Sequence, residues 1–66
     1  MLIYVSLEGC SYDLRARDLR LDRSDSDQRI KDAIERHLRL AADRLDPYVI
    51  DRPPGGNLIV RPAAER

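Results

Sequence analysis

The chain has 66 residues, of which twelve are basic and twelve acidic, so its formal net charge is zero; 42% are apolar. This length makes one domain near the lower limit at which a single core sustains a fold, and it leaves little room for an enclosed ligand pocket of several hundred Å3. The balanced charge weighs against a protein whose work is gripping a phosphate backbone, an affinity that comes from excess Lys and Arg.

The aromatic complement is three Tyr with no Phe or Trp, so the core has to be assembled from Leu, Ile and Val. Cys10 stands alone, which excludes an intramolecular disulfide and a zinc knuckle. Met1 to Val5 are apolar but lack a basic flank, and the sequence turns polar by Glu8. That stretch is too short for a signal peptide or a membrane span, and a cytoplasmic location is expected.

In chain order, residues 2–7 predict a strand with Ile3, Val5 and Leu7 on one face and Leu2, Tyr4 and Ser6 on the other. Two largely apolar faces mark a central strand. Residues 8–11 supply a turn, with Gly9 free to take a positive φ. Tyr12, Leu14 and Ala16 alternate with Asp13, Arg15 and Arg17, predicting a half-exposed strand over 12–17, and Leu19 and Leu21 extend the alternation weakly.

Ser24-Asp25-Ser26-Asp27 is a helix start: either Ser can cap, and the two acids suit the positive end of the dipole. Ile30, Ala33, Ile34, His37, Leu38 and Ala41 then recur at three- and four-residue steps as one apolar stripe. Asp27/Lys31, Asp32/Arg36 and Glu35/Arg39 are acid-before-base pairs at i,i+4, each contributing about 0.2–0.5 kcal/mol on a wet face. Pro47 bars further helix. Tyr48-Val49-Ile50 predicts a short strand, 53–57 a Pro- and Gly-rich connection, and Leu58-Ile59-Val60 a last strand that Pro62 brings to an end. Residues 63–66 carry no apolar pattern and predict a mobile end.

Two hairpins around one helix leave few arrangements. The helix covers one sheet face because its stripe has nowhere else to go. Pairing the two most apolar strands, first and last, in parallel at the centre gives an α+β fold, ββαββ, with mixed sheet order 2-1-4-3. The edges then carry Arg15, Arg17, Asp51 and Arg52, which discourage edge-to-edge association. A ferredoxin-like alternative needs a second helix that the chain has no room for.

The run His37-Leu38, Leu40, Leu45, Tyr48-Val49-Ile50-Asp51-Arg52, a Gly-Asn turn, and Leu58-Ile59-Val60-Arg61-Pro62 resembles small bacterial ubiquitin-like proteins of β-grasp fold. The resemblance covers most of the chain from Ile30 onward and the first hairpin. It implies a β-grasp domain over 1–61 and a flexible C-terminal tail over 62–66. It also implies a non-enzymatic modifier with no cofactor: the C-terminal carboxylate is adenylated by an activating enzyme, passed to a conjugating enzyme and joined to a target. The segment entering the activating enzyme would be Arg61, Pro62, Ala63, Ala64, Glu65 and Arg66.

Such modifiers, and the sulfur carriers that share fold and adenylation, end in glycine so that the tail can thread a narrow channel. This chain ends in Glu65-Arg66. Three explanations stand open: a natural chain running beyond Arg66, which would call for a processing protease, a trimmed tail, or a protein that is never conjugated. Cleavage after Gly56 would remove strand 58–62 from the sheet, so Gly55-Gly56 reads as a turn.

The resemblance places the partner-facing patch on the sheet face away from the helix, with Leu2, Tyr4, Leu58 and Val60 as candidates, joined by Tyr12 or Leu14, while Ile3, Val5, Leu7 and Ile59 form the core. Elsewhere the bland reading is preferred. Cys10 sits in a hairpin turn without a neighbouring His. His37 lies at the boundary of the helical stripe, with no second His to share a metal. Asp25, Asp27, Asp32 and Glu35 are accounted for by capping and ion pairing. Arg15, Arg17, Arg20 and Arg23 form a local basic cluster interleaved with acids, read first as a solvated edge and second as a docking surface for an acidic partner. One Cys and one His give no nucleophile–base pair, so catalysis is not expected. The expected partners are proteins, with no nucleic acid and no membrane. The rival to a conjugated modifier is a non-covalent β-grasp adaptor, followed by a sulfur carrier.

Overall fold

A computed structural model of the chain describes residues 1–63. Its elements are β1 (Leu2–Leu7), β2 (Cys10–Arg15), a 3-10 turn (Ala16–Leu19), α1 (Asp27–His37), β3 (Tyr48–Asp51) and β4 (Leu58–Pro62). They form one four-stranded mixed sheet in the order β2-β1-β4-β3. The α+β architecture and the strand order are those the sequence predicts for a β-grasp. β1 and β4 pair in parallel, with Ile3 beside Leu58 and Val5 beside Val60; the two hairpins are antiparallel.

The first hairpin is tighter than the sequence reading. Leu7 pairs with Cys10, so the loop is Glu8-Gly9 alone, both at positive φ (50° and 80°). A two-residue loop of this kind matches the twist of the flanking strands. Cys10 and Ser11 therefore belong to β2 rather than to the turn. At the other end β2 stops at Arg15, and the predicted strand 12–17 gives way to the 3-10 turn. The reason lies in spacing. Ala16 and Leu19 are three apart, the repeat of a 3-10 turn, in which residues i and i+3 share one side. Ala16 is 3% exposed and Leu21 8% exposed. Leu21 N–H donates to Ala16 O at 2.9 Å and Ala16 N–H to Met1 O at 3.1 Å.

Ser26 is the cap of α1: its Oγ accepts from Arg29 N–H at 3.2 Å. Ile30 and Ile34, both fully buried, press on the inner sheet face with Leu45, Leu58, Val60, Ile3 and Val5. The helix ends at His37, which is exposed, and Ala41 lies outside it, also exposed. The predicted i,i+4 acids take other partners. Asp27 pairs with Arg52 at 2.6 Å, Asp32 accepts from Gln28 Nε2 at 2.9 Å, and Glu35 is buried with its carboxylate accepting from Leu45 N–H at 2.9 Å.

Candidate docking face

α1 covers one face of the sheet; among the described residues the other is open. Residue alternation sends Leu2, Tyr4 and Ser6 of β1 to this outer face, and the register carries the same side across the neighbours. Tyr4 lies between Asp13 of β2 and Ile59 of β4, Ile59 lies beside Asp51 of β3, and Val49 lies beside Arg61. Leu2, Val49 and Ile59 are half-buried, and Tyr4 is 36% exposed. The centre of the face is thus apolar. Around it stand Arg15, Asp13, Asp51 and Arg61, the last two joined by Arg61 Nε donating to Asp51 Oδ2 at 2.6 Å. The pair sits on a cross-strand diagonal, close enough for long side chains to meet.

The chemistry of this face is contact rather than reaction. It offers a phenol whose ring can be covered while its hydroxyl stays available, flanked by aliphatic side chains and a rim of both charge signs. An apolar centre with an aromatic anchor and a polar rim is the anatomy of a protein-binding patch.

The structure divides the candidates read from sequence. Leu2 and Tyr4 are on the outer face as expected. Leu58 and Val60 are not: both are fully buried against α1, and Ile59 takes the outer position assigned to them. Parity in β4 is therefore the reverse of the expectation. Its three apolar residues are consecutive, so period 2 carries no information there, and pairing with β1 decides the side. Leu14 is 9% exposed in the core and Tyr12 packs against it, both on the inner side.

Arg61 and Pro62 belong to β4, Pro62 pairing with Tyr48, and Ala63 N–H donates to Pro47 O at 2.9 Å. β4 thus spans the strand 58–62 that the sequence predicts, and Pro62, also the first residue of the predicted tail, is strand. Ala64, Glu65 and Arg66, the remainder of that tail, lie outside the described residues. Cys10 is exposed at the start of β2. Asp25 accepts from Asp22 N–H at 2.8 Å and faces Arg29 at 3.5 Å. Among the described residues no cluster of His, Cys, Asp and Glu is arranged to hold a metal ion, and no helix is long and apolar enough to cross a membrane.

Sequence reasoning missed Val49 and Ile59 on the face, and Glu35 beneath the loop that follows α1. For Ile59 the register alone holds the signal. Val49 could have been found, since Tyr48 and Ile50 on either side share the opposite parity. Compared with known proteins, the chain matches no family model, no curated protein and no solved structure.

Proposed function

We propose that this chain is a non-enzymatic ubiquitin-like protein that acts by presenting its open sheet face to a protein partner. The observation that supports it is the apolar centre of Leu2, Tyr4, Val49 and Ile59 on a face that no element among the described residues covers, with Tyr4 36% exposed at its middle. An exposed aromatic anchored among aliphatic neighbours is the kind of group on which binding energy concentrates.

The test compares tagged wild type with Tyr4→Asp and Ile59→Asp in the cells the protein comes from, by quantitative mass spectrometry of co-purifying proteins. Melting curves of the purified variants serve as the folding control. Partners lost from both variants while melting stays cooperative would support the docking face. Partners retained by both would sink it.

A second reading is a covalent modifier, served by activating and conjugating enzymes and, for a longer precursor, a processing protease. The observation favouring it is that β4 ends at Pro62 and that Ala63, next to it, is exposed. Blotting an N-terminally tagged copy beside one lacking residues 64–66 separates the two readings. High-mass adducts that vanish with the deletion establish conjugation. A single free species in both leaves the non-covalent adaptor.

A further inference from the structure

The helix side of the molecule carries a second feature, unconnected with the open face. Between the 3-10 turn and α1 runs a groove of about 490 Å3. Its apolar lining is Leu21, which is buried, with Leu19 and Ala33, which are half-buried. Three exposed guanidinium side chains, those of Arg20, Arg29 and Arg36, also line it, against one carboxylate, Asp32, already engaged by the Gln28 amide. A chain with zero net charge therefore has a locally positive groove.

The arginines are available. Among the described residues the guanidiniums of Arg20 and Arg36 have no hydrogen-bond or salt-bridge partner, and Arg29 has only a long contact to Asp25 at 3.5 Å with its side chain 63% exposed. Their placement is built into the backbone. Arg20 closes the 3-10 turn in the left-handed region, at φ 56°, held as its N–H donates to Arg17 O at 3.2 Å. That conformation ordinarily favours Gly or Asn. Arg29 and Arg36 are seven residues apart on α1, so they share one helix face about 10 Å apart along the axis, with Ala33 between them.

We infer that this groove binds an extended acidic peptide segment of a partner protein, one with an aliphatic side chain between two carboxylates at alternate positions. Alternate residues of an extended segment share one side, and three of them span about 13 Å. That length suits carboxylates meeting the splayed side chains of Arg29 and Arg36, Arg20 closing from the opposite wall, and the aliphatic group resting on Ala33 and Leu21. Guanidinium is the right donor for the task because its planar fork matches a carboxylate with two parallel hydrogen bonds. A nucleic acid fits less well. The groove offers no aromatic ring for a base to stack on.

The inference does not rest on the open-face reading, and Tyr4→Asp should leave it unchanged. The experiment is an amide-resolved NMR titration with a synthetic peptide built on Asp-Ser-Leu-Ser-Asp, which sets carboxylate, aliphatic and carboxylate on one side when extended, beside a Lys-Ser-Leu-Ser-Lys counterpart and an oligothymidylate. Shifts concentrated over residues 19–21 and 29–36, for the acidic peptide alone, are expected. Combined Arg20→Ala and Arg36→Ala should weaken binding at least about tenfold, and added salt should weaken it further, while the melting temperature holds. Arg20→Lys with Arg36→Lys should recover part of the affinity, charge being kept and the fork lost. Groove amides that do not move, shifts confined to the open face, unaltered binding by the alanine variant, or tighter binding of the oligothymidylate would each overturn it.

Discussion

Glu35 is the one charged residue buried among those described, 6% exposed, and it holds the segment after α1 by two routes. Its backbone carbonyl accepts from Leu40 N–H at 2.7 Å and its carboxylate accepts from Leu45 N–H at 2.9 Å. Leu45, fully buried, is thereby fixed beneath the helix. Glu35→Ala strands a buried N–H and is expected to cost about 1–3 kcal/mol; Glu35→Gln, which keeps an amide oxygen as acceptor, should cost less. Urea unfolding of the two variants ranks them. Asp22 makes a different, fully exposed contribution. The Ser24 hydroxyl donates to its carboxylate at 2.5 Å and the Ser24 N–H at 3.0 Å, and these bonds hold its carboxyl below the usual aspartate range. Because the folded value lies below the unfolded one, the stabilisation is present above the ordinary aspartate value and is lost as pH falls through the folded one. Asp22→Asn should therefore melt slightly below wild type at neutral pH, and the gap should close in acid, below about pH 4. A gap that persists unchanged into acid would mean that Asp22 acts through something other than its charge.

β4 is where side-chain parity has the sharpest consequence. Leu58→Ala opens a cavity under α1 and is expected to cost about 2–5 kcal/mol, a large share of what so small a domain holds. Ile59→Ala, half-exposed on the other face, should cost less than half as much; equal losses by chemical denaturation would reverse the assignment. The same strand shows what a sequence can and cannot carry. The first hairpin, the capped helix and the strand order were legible because each rests on a local period or a turn residue: Ile3, Val5 and Leu7 alternate, Ser26 precedes Asp27, and Gly9 follows Glu8. The side taken by Leu58, Ile59 and Val60 was not, since three consecutive apolar residues satisfy either parity until β1 is beside them. The 3-10 turn escaped because Tyr12, Leu14 and Ala16 alternate and so do Leu19 and Leu21, which hides the step of three between Ala16 and Leu19. Glu35 escaped for a third reason: Arg39 stands at the spacing of a solvent-exposed pair, whereas the donor it meets is a backbone N–H ten residues on. Half of the candidate face, Leu2 and Tyr4, was therefore visible beforehand, and the half contributed by later strands was not.

At the scale of the whole molecule, the sheet leaves one broad face uncovered and the helix layer carries the arginine-lined groove, so a body with extents of 27 × 25 × 20 Å presents two chemically different surfaces. One is apolar with a mixed rim, the other positive over an apolar floor. The central parallel pairing of β1 with β4 also governs when the molecule can exist at all. The two strands that meet at the middle of the sheet, Ile3 with Leu58 and Val5 with Val60, are the first and the last to be synthesised. A nascent chain carrying residues 1–52 has the β1–β2 hairpin, the helix and β3, yet it lacks the strand that joins β3 to the rest and closes the core over Ile30 and Ile34. Folding on the ribosome must wait until Val60 has cleared the exit tunnel. A stalled chain ending at residue 52 is expected to remain protease-sensitive, and one extended by a flexible spacer past Ala63 to become resistant in a single step.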